Sequence, residues 1–243
     1  MKVLLIYPNL TLVSTLPNNI SILSAVLKDA GHKVKLFDTT YYRTDDIIND
    51  ERRVDRLQVK PFNIEEVDIQ LKQSDVKEDL RQTIKNYNPD IIGITIVDDT
   101  FYLSKELLDE CKDISIIAGG VTGMFAHDHI FREMNVDYIC RGEGERTLIE
   151  LCNSLEEGKS IEGIKNLSYI KNGKIIDNPL DHPVDINALP FEDFSIFENK
   201  RFYRPMSGKM RKTIPINFDR GCPYSCTFCC APCIRKRYKR YYR

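Results

Sequence analysis

The residues most able to do chemistry are cysteines that lie close together near the end of the chain. Five of the eight cysteines fall in DRGCPYSCTFCCAPC, and Cys222, Cys226 and Cys229 follow a C-x3-C-x2-C spacing. Soft thiolate ligands in a tight loop suit an iron–sulfur cluster or a zinc ion. We call residues 219–229 the cysteine loop and predict a metal centre in it.

The spacing of the cysteines disfavours zinc. Tetrahedral zinc sites take four ligands, and the two C-x2-C pairs that usually supply them are about 12 or more residues apart. Here the Cys226–Cys229 pair is followed at once by Cys230 and Cys233. Three thiolates would instead leave one iron of a four-iron cluster without a protein ligand, and an open iron can chelate a small molecule. A structural or electron-transfer cluster remains an alternative, and the roles of Cys230 and Cys233 stay open.

The composition indicates a globular protein of a reducing compartment. The chain has 243 residues, of which 42% are hydrophobic. Its first apolar run, VLLIY, ends at Pro8, which makes it too short for a membrane span, and it lacks a secretory cleavage site. We therefore expect a cytoplasmic protein with no membrane span, in which clustered cysteines bind metal more often than they form disulfides.

The elements that position these residues follow an alternating pattern. Strands are predicted at 2–7, 33–38, 91–97, 114–119 and 136–140, and helices at 18–30, 101–112, 124–134 and 145–157. This alternation predicts an α/β fold with a doubly wound, five-stranded parallel sheet of flavodoxin-like order 2-1-3-4-5. Sheets of this kind bind ligands beyond the carboxyl ends of their strands.

The pattern also suggests how the chain is divided. Residues 1–160 form the first predicted domain, with a charged, partly helical insertion at 43–81. Residues 161–212 contain a predicted hairpin, turning at Asn172-Gly173, and an extended connector (181–195). The run TIPINF is predicted as a strand that leads into the cysteine loop and begins a second unit, 213–243.

The segment CPYSCTFC resembles the C-x3-C-x-aromatic-C motif of the radical S-adenosylmethionine (SAM) superfamily. This resemblance implies that Cys222, Cys226 and Cys229 hold a [4Fe-4S] cluster and that Phe228 lies in the neighbourhood that contacts the adenine of SAM. In that superfamily the cluster cleaves SAM to a 5′-deoxyadenosyl radical, and a reductant such as flavodoxin or ferredoxin is implied as a partner. The basic tail 235–243 taken alone would suit nucleic acid, but it looks like the start of the first barrel helix, so no nucleic acid partner is expected.

Stretches of the first 157 residues resemble the cobalamin-binding domain that precedes the radical SAM domain in one large class. They are, in the family order, KVLLIYPN, AGHKVKLFD, NPDIIGITI, IIAGG and VDYICRGEGERTLIEL. The resemblance places Thr95 and Val97 in a small-x-aliphatic motif, and Gly119 and Gly120 at the paired glycines that leave room for the cobalamin nucleotide tail. Glu143 is expected as a polar contact in the domain cleft. The plainer alternatives are a strand-to-helix turn for the glycines and a structural turn for Glu143.

The D-x-H-x-x-G motif that supplies a histidine to cobalt in many cobalamin proteins is absent, and the first loop, YPNLTLVSTLPNN, has no histidine. We therefore expect a cobalamin without a histidine lower ligand. The alternative is a cobalamin-type fold that binds no cofactor.

Fourteen residues follow Cys229, whereas a (β/α) barrel takes about 200. We therefore expect the amino-terminal portion of a cobalamin-dependent radical SAM enzyme, with a truncated (β/α) barrel, that serves methyl transfer or a radical rearrangement and is inactive alone. The alternative is a non-catalytic corrinoid-binding or interaction module that a separate barrel chain completes.

Overall fold

The computed structural model describes residues 1–44 and 49–238. Its strands are β1 (Lys2–Tyr7), β2 (Lys33–Asp38), β3 (Ile91–Thr95), β4 (Ser115–Gly119), β5 (Tyr138–Cys140), β6 (Leu167–Lys171), β7 (Lys174–Asp177), β8 (Tyr203–Met206) and β9 (Lys209–Lys212). The first seven form one sheet of order β2-β1-β3-β4-β5-β6-β7. Strands β1 to β5 pair in parallel, in the predicted order.

Helices cover both faces of this sheet. They are α1 (Asn18–Asp29), α2 (Asn49–Asp55), α3 (Val76–Tyr87), α4 (Phe101–Leu108), α5 (Val121–Phe125), α6 (His127–Glu133), α7 (Gly144–Glu157) and α8 (Ala231–Arg237). The predicted α/β class with a doubly wound sheet is therefore confirmed. The helix predicted at 124–134 is divided in two at Ala126, whose backbone leaves the helical conformation.

The alternation along β1 shows why this sheet needs helices on both sides. Val3 and Leu5 are buried in one core cluster, which also contains residues of α1 and α7. Leu4 and Ile6 are buried in a second cluster, with residues of α3, α4 and α6. Successive side chains of a strand point to opposite faces, so a strand buried on both faces reads as a continuous apolar run.

The sheet has two more strands than predicted. The hairpin predicted at Asn172-Gly173 forms, and both turn residues have positive φ (53° and 72°), as a tight two-residue turn requires. Its first strand, β6, pairs antiparallel with β5. Leu167 and Tyr169 of β6 are buried in the same core cluster as α7, so the hairpin extends the sheet because it buries apolar surface there.

The segment that leads to the cysteine loop differs from the prediction. Residues 213–218, predicted as a strand, lie outside the strands of the structure. A strand needs neighbours for its backbone hydrogen bonds, and Ile214 and Ile216 remain exposed to 51% and 63%. The unpredicted hairpin β8–β9 precedes this segment.

The insertion predicted at 43–81 contains α2, a short 3-10 turn and the first half of α3. Residues 45–48 of that insertion, and residues 239–243 of the basic tail, lie outside the described residues. In the described ranges, no helix is long and apolar enough to cross a membrane.

Candidate functional site

A cavity of about 760 Å³ lies at the carboxyl ends of β3, β4 and β5. Its walls are formed by the strand ends, the first turns of α1 and α7, part of the connector and the start of the cysteine loop, with further residues from α5 and α8. This is the edge of the sheet where doubly wound folds bind ligands. The fold thus brings the predicted cofactor slot and residues 219–221 of the cysteine loop to the lining of one cavity.

The two glycines at the end of β4 contribute differently. Gly120 has φ +97°, and a Cβ there would lie 2.5 Å from the carbonyl oxygen of Ile96. A Cβ at Gly119 would meet nothing nearer than the Cβ of Cys140, at 4.0 Å. The turn therefore requires glycine at position 120, whereas at position 119 the missing side chain leaves space in the cavity.

Thr95 lines the cavity at the end of β3. Its hydroxyl oxygen accepts a hydrogen bond from the side-chain amide of Asn19, at 3.1 Å, at the start of α1. Sequence reasoning missed Asn19, and the signal available was the pair of asparagines that follows Pro17 at a helix start. Val97, also predicted as a contact, is 36% exposed and lies outside the lining of the cavity.

Glu143 connects three segments of the chain. It is the N-cap residue of α7, but its side chain makes no capping bond. Its carboxylate instead accepts a hydrogen bond from the backbone N–H of Val184 in the connector, at 2.6 Å, and one from Arg220 in the cysteine loop, at 3.2 Å. Glu143 lines the cavity, and its hydrogen bonds to Val184 and Arg220 are to the chain's own connector and loop, so its role as a contact in the domain cleft stays a prediction.

Arg220 is shared between two carboxylates. The same guanidinium nitrogen lies 3.2 Å from Glu143 and 2.6 Å from Glu145, and the side chains of these three residues are 21%, 13% and 6% exposed. Burial lowers the pKa of Arg220, but Glu145 and Glu143 raise it, and the resulting pKa lies above its usual range. Sequence reasoning missed this group, because the partners are more than seventy residues apart.

The first half of the cysteine loop is held from α8. One guanidinium nitrogen of Arg235 donates to the backbone carbonyls of Cys222, Pro223 and Tyr224, at 3.2, 2.5 and 3.2 Å. Its other terminal nitrogen donates to the hydroxyl of Ser225, at 2.7 Å. A single side chain therefore fixes the backbone around the first cysteine.

The predicted ligands are free thiols. Cys222 is half-buried, and Cys226 and Cys229 are exposed. Among the described residues, no three His, Cys, Asp or Glu side chains lie close enough together to hold a metal ion. The donor set itself, three free thiols on one loop, fits an iron–sulfur cluster by ligand chemistry. Phe228, expected near adenine, is 90% exposed.

Histidine side chains lie away from the cavity in the described part of the chain. His32 is buried next to the amino terminus, 3.2 Å from the Met1 nitrogen. His127 contacts Asp177 at 3.3 Å, and the ring of His129 stacks on Phe101.

The sequence matches a known domain family and, over part of its length, curated proteins. Residues 13–152 match the B12 binding domain family. The chain is 32% identical over 167 residues to the anaerobic magnesium-protoporphyrin IX monomethyl ester cyclase of Rubrivivax gelatinosus, covering 64% of this chain and 30% of that protein. It is 30% identical over 161 residues to an uncharacterized methyltransferase of Pyrococcus horikoshii, which covers 62% of this chain and 33% of that protein. The chain thus spans about a third of the length of these curated relatives.

Solved structures share the fold over nearly the whole chain. The cobalamin-dependent SAM radical enzyme OxsB, with aqua-cobalamin and SAM bound, superposes with a TM-score of 0.64 at 23% identity, over 94% of this chain and 28% of that one. The radical SAM methyltransferase TsrM of Kitasatospora setae superposes with a TM-score of 0.62 at 21% identity, over 95% of this chain and 41% of the TsrM chain. The chain therefore belongs to the B12 binding domain family, and OxsB and TsrM, whose fold it shares, are radical SAM enzymes whose structures were solved with cobalamin bound.

Proposed function

We propose that this chain binds a cobalamin in the cavity and a [4Fe-4S] cluster on the cysteine loop, as the cobalamin-binding part of a radical SAM enzyme. The observation that carries the proposal is the composition of the cavity wall. The lining includes strand-end residues such as Thr95 and Gly119, and it also includes Arg220 and Gly221, which directly precede Cys222. Two cofactors held by these segments would therefore face a common space.

The strand ends supply a slot for the corrinoid. Gly119 leaves the backbone open to a ligand, and Thr95 with Asn19 supplies a hydroxyl and an amide for polar groups of a nucleotide tail. Because the histidines lie outside the cavity lining in the described part of the chain, the lower face of the corrinoid would lack an imidazole. Gly120 supports the slot by fixing the turn, and Val97 would contact only a part of the ligand beyond the cavity.

The cysteine loop supplies the second group. Cys222, Cys226 and Cys229 would provide three thiolates, and Arg235 holds the backbone of the first in place. A cluster held by these thiolates would supply the electron for cleavage of the sulfonium bond of SAM. Phe228, with 90% of its surface exposed, offers an unobstructed aromatic face for the adenine.

The reaction served by the whole protein is proposed only as a class. The relatives are named as methyltransferases and as a ring-forming cyclase, and both names are consistent with methyl transfer or a radical rearrangement. A flavodoxin or ferredoxin would deliver the electron, and a (β/α) barrel would hold SAM and the substrate.

The test loads both groups under anaerobic conditions. With iron and sulfide, we expect about four iron and four sulfide per chain, lost in Cys226→Ala and retained in Cys233→Ala, a matched exposed cysteine outside the three. With hydroxocobalamin, equilibrium dialysis should give binding near one per chain, and the Co(II) spectrum should show no imidazole nitrogen coupling. Stoichiometric zinc without sulfide, or no retained corrinoid, contradicts the corresponding half of the proposal. Corrinoid binding without sulfide-dependent iron would favour the non-catalytic module.

A further inference from the structure

We propose that Arg220 is a positioning residue that latches the cysteine loop to the rim of the corrinoid cavity through Glu143 and Glu145. We call these three residues the Arg220 latch. The inference rests on the proposed function for the identity of the ligand. It goes beyond that function because it names the contact that sets where the cluster ligands stand relative to the cavity.

The latch joins elements that are distant in the sequence and meet at the cavity. Glu143 and Glu145 stand at the start of α7, and Arg220 stands two residues before Cys222. All three residues line the cavity. Their contacts of 2.6 and 3.2 Å join the start of α7 to the cysteine loop.

Burial strengthens the attraction within this contact relative to a surface ion pair, and loss of Arg220 would leave buried carboxylates without their partner. Glu145 is nearly inaccessible, with 6% of its side chain exposed, and attraction between charges is screened less there than in water. Two carboxylates that share one guanidinium nitrogen would repel each other without it. The amino-terminal end of α7, a 14-residue helix, also favours negative charge. Two carboxylates at this helix start therefore hold the Arg220 guanidinium.

The position of Arg220 passes this restraint to the first cysteine. Only Gly221 separates Arg220 from Cys222, and its φ of +95° places it in the left-handed region that glycine adopts readily. The chain turns there, directly after the latch. Since Arg235 holds the carbonyl of Cys222 from the other side, the first cysteine is restrained at two points.

The connector is tied to the same group. The second carboxylate oxygen of Glu143 accepts the backbone N–H of Val184, and residues 186–187 and 189–192 of the connector line the cavity. Loss of the latch would thus loosen one cavity wall directly and a second wall through Glu143. The cysteines themselves would be unchanged, so the cluster should still form.

The experiment compares Arg220→Gln with Arg211→Gln, which removes an exposed arginine from β9. Hydroxocobalamin affinity, iron and sulfide content, and hydrogen exchange of peptides covering 214–229 are measured on the full chain. We expect Arg220→Gln to weaken corrinoid binding about 10-fold or more and to speed exchange of the loop, while iron and sulfide per chain and exchange in β1 and β3 stay at the wild-type level. Arg220→Lys should recover part of the affinity, because an ammonium replaces the charge but is a compact point charge that lacks the planar guanidinium.

Two further variants keep the test decisive. Should Arg220→Gln fail to fold, the triple variant E143Q/E145Q/R220Q removes the ion pairs without leaving a buried charge unpaired, and it should show the same loss of affinity. The charge-swapped pair E145R/R220E should recover affinity relative to R220E alone.

Equal corrinoid affinity and equal loop exchange in Arg220→Gln and Arg211→Gln would overturn the latch. If the wild-type chain itself binds no corrinoid, the proposed function fails, and faster loop exchange in Arg220→Gln alone still decides whether the latch exists.

Discussion

Gly120 and Ile96 are in backbone contact at the end of the sheet: a Cβ on Gly120 would lie 2.5 Å from the Ile96 carbonyl oxygen and 3.1 Å from its nitrogen. The chain after β3 and the chain after β4 therefore approach as closely as backbone allows. The N–H of Ile96 also donates to the carbonyl of Gly119, so the turn that Gly120 makes is held beside two residues, Gly119 and Gly120, that line the cavity.

Replacing Gly120 by alanine should destabilise the fold. The new methyl group would collide with backbone that cannot rotate away, and φ of +97° is strained for any L-residue. We expect the free energy of unfolding to fall by about 2–4 kcal/mol, measured by urea denaturation monitored by circular dichroism. An unchanged midpoint would show that the turn can rearrange.

Replacing Gly119 by leucine should leave the stability of the fold nearly unchanged but weaken the binding of hydroxocobalamin. A Cβ at position 119 would lie 4.0 Å from the nearest atom, and the residue lines the cavity, so we expect stability to change by less than about 1 kcal/mol. The added side chain would occupy the proposed slot, and hydroxocobalamin affinity should fall at least 10-fold by dialysis. Unchanged affinity in a folded Gly119→Leu protein would place the corrinoid elsewhere.

Asp193 should make the connector sensitive to acid. Its carboxylate accepts hydrogen bonds from Ser24 and Lys28 of α1, at 2.6 and 2.5 Å. Burial raises the pKa of Asp193, but Lys28, Ser195 and Ser24 lower it, and the resulting pKa lies below its usual value. A pKa lower in the folded state than the unfolded value of about 3.9 stabilises the fold above that pH. This stabilisation is lost as the pH falls through the folded pKa.

The variant Asp193→Asn tests this linkage. At pH 7 it should be less stable than the wild type by about 1 kcal/mol or more, and the difference should shrink as the pH falls from about 5 to 3. Urea denaturation at each pH measures it. A gap that widens towards acid pH would contradict the assigned direction of the shift.

Arg235 should govern how long the cluster is retained. It fixes three carbonyls of the loop, so Arg235→Gln leaves the cysteines in place but frees their backbone. We expect release of iron to a chelator to be several-fold faster, followed by the loss of the visible absorbance of the cluster. Lys236→Gln, an exposed neighbour on α8, is the matched control, and equal release rates in the two variants would remove the role assigned to Arg235.

The cysteines should separate into two classes by reactivity. Burial raises the pKa of Cys111 and of Cys152 to about 12, and it raises the pKa of Cys140 as well. Because the thiolate is the reactive form, these three should resist alkylation at pH 8 in the folded protein. The five cysteines from Cys222 to Cys233 should react first, and mass spectrometry of the peptides would show the order.

The parallel strands and the cysteine loop were predictable for local reasons. Runs such as IIGIT read as strands because both faces of β3 are buried, and the spacing of Cys222, Cys226 and Cys229 carries its own chemistry. The Arg220 latch was not predictable, because an ion pair between distant residues leaves no period in the sequence. The joining of β6 to β5 depended on burial of Leu167, which a hairpin pattern does not reveal.

The β6–β7 hairpin also determines how the sheet ends. Without it, β5 would present its unpaired N–H and C=O groups as an open edge that another chain can extend. The outermost strand is instead β7, four residues long, with Lys174 and Asp177 at its two ends. Short edge strands that carry charges resist pairing with a second copy of the chain. The hairpin therefore gives this side of the sheet a short, charged edge that disfavours pairing with another chain.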